Sequence, residues 1–145
     1  MPAIEPDIHT KVRQWLQYGD DDLRLARHGL TLKSSIPYRL IAYHAQQCAE
    51  KYLKAFLVLG SIDFPFTHNI SRLIELAQQI RPWPKSLLDA ETLTPYAITA
   101  RYPGEDEPVS SEEAEQAIAI AEQTRQLVRE ALAETGVVLK ESQDF

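Results

Sequence analysis

The sequence predicts an all-α fold, an antiparallel up-and-down helical bundle of four to five helices, and three observations carry that prediction. Apolar residues recur three and four positions apart through most of the chain, the spacing of one helix face. No stretch alternates apolar and polar residues between turn signals, so no strand is expected. Proline, glycine and serine clusters interrupt the periodic stretches and leave only short connections between them, as antiparallel neighbours require. With 145 residues and 44% hydrophobic content, the chain has the size of one domain and enough apolar side chains for a core without disulfide or metal. Residues 1–145 read as a single domain, with 1–6 and 137–145 as loose ends.

A first helix starts with Asp7 as cap and carries Val12, Trp15, Leu16, Leu23, Ala26 and Leu30 in one stripe. Gly19 falls on that stripe, which marks either a close approach by a neighbour or a local weak point. Asp20, Asp21 and Asp22 follow; successive helical residues point about 100° apart and cannot converge on one ion, so the triplet reads as a solvated face. Ser34 or Ser35 then caps a second helix with Pro37 in its first turn, and Gly60 suits a left-handed C-terminal turn. After the aromatic loop IDFPFTHN, Thr67 or Asn69 caps a short third helix bearing Ile70, Leu73, Ile74, Ala77 and Ile80. RPWPKS breaks it. A fourth helix over 85–99 presents Leu87, Leu88, Leu93, Ala97 and Ile98, with Pro95 bending or splitting it. ARYPGEDEP leaves that helix, and Ser110 with Glu113 forms a capping box for a last helix reaching Gly136.

The second helix is the one around which the others must pack. Its apolar residues, from Leu40 and Ile41 to Phe56 and Leu57, cover well over half the circumference. The remaining polar residues form a seam of Gln47, Glu50, Lys51 and Lys54, extended toward the N-terminus by Arg39, Tyr43 and Gln46. Such a seam either faces water or is offered to a partner.

Charge and composition narrow the classes of function. Fifteen Lys and Arg against 21 Asp and Glu give a net charge of −6, which disfavours general nucleic-acid binding while leaving room for a single phosphate or a structured RNA at a local basic patch. Cys48, the single cysteine, excludes an intrachain disulfide and reads as a buried, inert thiol. No leader peptide and no membrane-length apolar run is present, so a soluble, cytoplasmic protein is expected. Phosphate-loop, dinucleotide, zinc-protease and nucleophile-elbow motifs are missing, so no cofactor is expected, and the four histidines stand too far apart for a metal site.

Three clusters carry candidate chemistry. In the seam, Glu50 and Lys54 are spaced for an ion pair, and Lys51 with Lys54 for a phosphate or partner contact. Arg101, Tyr102 and Pro103 stand where a helix stops: a guanidinium there grips phosphate while a ring stacks on a base, or both simply cap the bundle end. Arg39 with His44 offers an arginine and a histidine for RNA cleavage, although five residues on one helix set them about 140° apart.

AQQCAEKYLKAFLVLG, then THNISRLIEL, then ARYPGE, then SSEEAEQAIAIAEQ together resemble the HEPN domain family over roughly residues 7–132. The resemblance implies a small prokaryotic helical bundle that forms a homodimer and acts in nucleotide or RNA transactions, often beside a separate minimal nucleotidyltransferase in a toxin–antitoxin arrangement. It places the family's functional positions at Gln47, Glu50, Lys51, Lys54, His68, Arg101 and Tyr102, with Pro103 completing the turn. Many members are metal-independent ribonucleases with a histidine four to six residues after an arginine in a late helix; here Arg101 is followed by YPGEDEP, without histidine. The expectation is therefore a non-catalytic binding module for a nucleotide or a nucleotidyltransferase. Two alternatives stand beside it: a ribonuclease with Arg39 and His44 in a composite dimer site, and a purely structural helical dimer.

Overall fold

The computed structural model describes residues 6–97 and 108–136, whose regular structure is entirely helical. The elements are α1 (Pro6–Gly29), α2 (Tyr38–Leu59), α3 (Ile70–Gln78), a 3-10 segment (Lys85–Ala97) and α4 (Ser111–Glu134). The Arg101–Tyr102–Pro103 turn and the end segments 1–5 and 137–145 lie outside the described residues.

Helix α2 is the hub, packing against every other element, whereas α1 packs, among these elements, only against α2 and α4. Its broad apolar surface requires this, and the core side chains Tyr52, Leu53, Phe56 and Leu57 are buried among its neighbours. Gly19 faces Tyr52 and Gly29 faces Ile41, so α1 and α2 run antiparallel. Arg27 pairs with Glu122 and Asp20 with Arg125, which sets α4 antiparallel to α1 as well.

The return leg of the bundle is shared between two elements. After Gly60 the chain doubles back along α2: the Ile62 amide donates to the Leu57 carbonyl, Phe64 lies by Lys54, and His68 reaches Glu50. Helix α3 then runs in the same sense as α2 and brings Ile80 over Gly60. The 3-10 segment travels the opposite way, with Ser86 accepting from Gln123, Tyr96 meeting Glu113, and Thr94 Oγ1 accepting from the Ile70 amide at the start of α3.

Several local expectations need correction. Pro95 neither bends nor splits an α-helix, because the segment that holds it is a run of 3-10 turns. Leu87, Ala90 and Leu93, three residues apart, form its buried line, and Leu88 turns outward. Three residues per turn aligns such a set, where an α-helix would rotate it off the core. Helix α1 begins at Pro6, so Asp7 lies in its first turn rather than capping it. Pro37, not a serine, is the N-cap of α2, and Asn69 caps α3 without a side-chain bond, its own amide instead bonded by Thr67. Gly60 has φ −79°; the left-handed residue is Ser61, at φ 55°. An added Cβ at 60 would lie 2.4 Å from Ile80 Cδ1, the tip of a partly exposed side chain that would have to swing aside. The capping box of Ser110 and Glu113 forms as expected. Cys48 is fully buried, and burial pushes its thiol well above the ordinary range.

Candidate functional site

The polar seam of α2 turns inward. Glu50 and Lys54 are only 2% and 6% exposed, and Gln46 and Gln47 are buried beside them. The expectation that this seam faces water or lies uncovered for a partner is corrected: Trp15 of α1 and Phe64 of the loop at 60–69 bring their rings to the Lys54 ammonium, and Glu50 and Lys54 are buried beneath them. Lys54 Nζ sits 5.6 Å from the Trp15 ring centroid and 5.8 Å from that of Phe64, within cation–π range, and the two rings pack edge to face.

Glu50 is the centre of the seam. Its carboxylate receives Lys54 Nζ at 2.9 Å, Gln46 Nε2 at 3.0 Å and His68 Nδ1 at 2.8 Å. Gln47 Nε2 in turn donates to Gln46 Oε1. A buried carboxylate with three partners is fixed in place, since the hydrogen bonds lost from water are replaced within the protein. The chain of contacts reaches the surface at His68, whose side chain is 51% exposed. Next to it stands Phe66, 98% exposed, with ring centroids 6.1 Å apart and planes inclined by 67°.

A second network lies one turn away between α1, α2 and α4. Asp22 accepts from Lys51 and lies 2.9 Å from His44 Nδ1. Asp20 takes the Tyr52 hydroxyl and Arg125 Nε. Burial, followed by the hydrogen bond to Asp20, raises the Tyr52 pKa well above its ordinary value. Burial works against the Arg125 charge, but the Asp20 bond and the Tyr52 contact outweigh it and raise the Arg125 pKa. The aspartate triplet is therefore no solvated face: Asp21 alone of the three is exposed, bonded to Gln17. The 100° step that keeps three adjacent carboxylates from one ion also sends the outer two to opposite flanks of the buried stripe. Among the described residues no cluster of histidine, cysteine and carboxylate is arranged to hold a metal ion.

A HEPN domain model matches residues 12–131, most of the chain. The chain belongs to the HEPN family. TT1696 from Thermus thermophilus is similar at 28% identity and a TM-score of 0.70, over 83% of this chain and 97% of that one. ST0689, described as an archaeal HEPN homologue, is similar at 26% identity and a TM-score of 0.64, over the same shares. No curated protein matches.

Within this HEPN bundle, the expected site residues divide. Gln47, Glu50, Lys54 and His68 come together, and Lys51 joins the neighbouring Asp22 network instead. Arg101 and Tyr102 fall outside the described residues. Arg39 is exposed and His44 is held by Asp22, on different sides of a regular α-helix. Both seam lysines already face a carboxylate, so neither offers surplus charge to a phosphate. A cleft of about 810 Å³ between the 3-10 segment and α4 is lined by Asp89, Glu112 and Glu113, a sign of charge that repels phosphate. No described helix is long and apolar enough to cross a membrane.

The residues missed by sequence reasoning are Asp20, Asp22, Trp15, Phe64 and Phe66. The signal for the aspartates was present, since Asp22 adjoins the apolar stripe of Leu23 and Ala26. Phe66 gave none, because an aromatic in a loop reads equally as core or surface.

Proposed function

We propose that this HEPN protein is a non-catalytic binding module for a nucleotide, working beside a minimal nucleotidyltransferase in a toxin–antitoxin-like pair. The observation that supports it is the Glu50 centre: a buried, fully bonded polar assembly that leads to one half-exposed imidazole beside a fully exposed ring. A satisfied buried polar network rigidifies the side chains it holds, and a recognition site needs its contacting groups locked by such supporting hydrogen bonds.

Calorimetric titration with ATP, GTP and AMP tests this. Wild type binds in the micromolar range, and Arg101→Ala and His68→Ala variants identify the contributing groups. Absence of any binding by wild type removes the nucleotide reading. Co-expression with a minimal nucleotidyltransferase and co-purification checks the partner half; the same gel-filtration profile reads the expected homodimer.

A further inference from the structure

Resting on the nucleotide reading, we infer that the His68–Phe66 corner recognises the base of the ligand, and specifically an amino-bearing edge, rather than its phosphates. Three features of the site lead there.

The first is charge. Lys54 is matched by Glu50, and Lys51 by Asp22. A triphosphate brought to this corner meets no uncompensated cation in the seam, whereas a neutral planar ring meets no penalty.

The second is the state of the imidazole. Glu50 already accepts from Lys54 and Gln46, and its 2.8 Å contact with His68 is completed in the tautomer in which Nδ1–H donates to the carboxylate. In the neutral ring this makes Nε2 an acceptor. Its complement is an N–H donor on the ligand, such as the exocyclic amine of adenine or cytosine.

The third is shape. Phe66 is open on the solvent side, and its plane stands 67° from that of His68. A base stacked on Phe66 lies parallel to it and keeps that inclination to the imidazole, so base and imidazole do not stack face to face and meet through an edge. The loop that carries the corner is pinned at both ends, by Phe64 against Trp15 and by His68 on Glu50, so little ordering cost remains for binding.

The test compares adenosine, AMP, ATP, purine riboside and a short oligoadenylate by titration calorimetry at one fixed pH. Purine riboside keeps the ring and lacks the amine. On this proposal adenosine, AMP and ATP bind within about threefold of one another, and purine riboside binds up to about tenfold more weakly, the loss of one hydrogen bond to the half-exposed imidazole. Phe66→Ala weakens adenosine at least fivefold, the lower end of what base stacking supplies. Phe66 is fully exposed and Glu50 keeps two donors without His68, so Phe66→Ala and His68→Ala both retain the fold, read by circular dichroism. ATP binding that is indifferent to both variants overturns the base assignment and leaves the nucleotide reading standing elsewhere on the chain. Equal binding of adenosine and purine riboside overturns the amino-edge assignment. Binding of the oligoadenylate alone, still dependent on Phe66 and His68, supports base recognition and moves the source from free nucleotide to RNA. Silence of every probe defeats both readings.

Discussion

Replacing Glu50 by Gln keeps the shape of the buried carboxylate and removes its charge, which leaves the Lys54 ammonium, 6% exposed, facing an amide and two rings. Breaking a buried ion pair by removing one partner costs about 3–5 kcal/mol, because the remaining charge is stranded. Lys54→Met removes the ammonium instead, and Glu50 retains Gln46 and His68. Its cost is that of one charged hydrogen bond, about 1.5–3 kcal/mol. In the Glu50→Gln, Lys54→Met double variant no charge is stranded, so the combined loss is smaller than the sum of the two singles by about 2 kcal/mol or more. For a domain of this length each kcal/mol moves Tm by about 2–4 °C, so Glu50→Gln lowers it by roughly 6–20 °C. Thermal and urea unfolding of the four proteins closes the cycle. A Glu50→Gln shift below about 2 °C, or losses that simply add, would falsify the buried-pair account and return Lys54 to solvent.

Gly19→Ala places a Cβ 2.8 Å from Cδ2 of Tyr52, a fully buried ring, so urea unfolding should show a net loss of about 1–2 kcal/mol, overpacking exceeding the gain in helix propensity. Tyr52 holds its proton more tightly when folded than its ordinary value of 10.0 allows. The folded protein then binds more protons than the unfolded chain above that pH, so this contribution is complete below about pH 10 and fades as pH rises beyond it. Stability measured across that range should fall less steeply in Tyr52→Phe than in wild type. Ser110→Ala removes the capping bond to the Glu113 amide and should cost about 1 kcal/mol in the same unfolding assay.

The bundle was legible because helical spacing and punctuation repeat over many residues: α2 declares itself hydrophobic nearly all round, and Ser110 with Glu113 announces α4. The third leg was less so. A three-residue repeat of Leu87, Ala90 and Leu93 is hard to distinguish from an α-helical stripe over so few turns, and Leu88 beside them looked equally apolar. At the candidate site, Glu50, Lys54 and His68 were legible as a set, but their environment was not. Whether a seam meets water depends on what crosses it, and Trp15 and Phe64 come from other parts of the chain. Asp22 was misread for the same reason: its partners, His44 and Lys51, lie on a different helix.

Among the described residues the sheltered ion pairs are balanced: Asp20, Asp22 and Glu50 face Arg125, Lys51 and Lys54, three of each sign. The whole surplus of −6 is consequently worn on the remainder of the chain. Modest ionic strength relaxes repulsion among those outer carboxylates while barely reaching the sheltered contacts, so the molecule tightens in brine where a fold held by surface pairs would loosen.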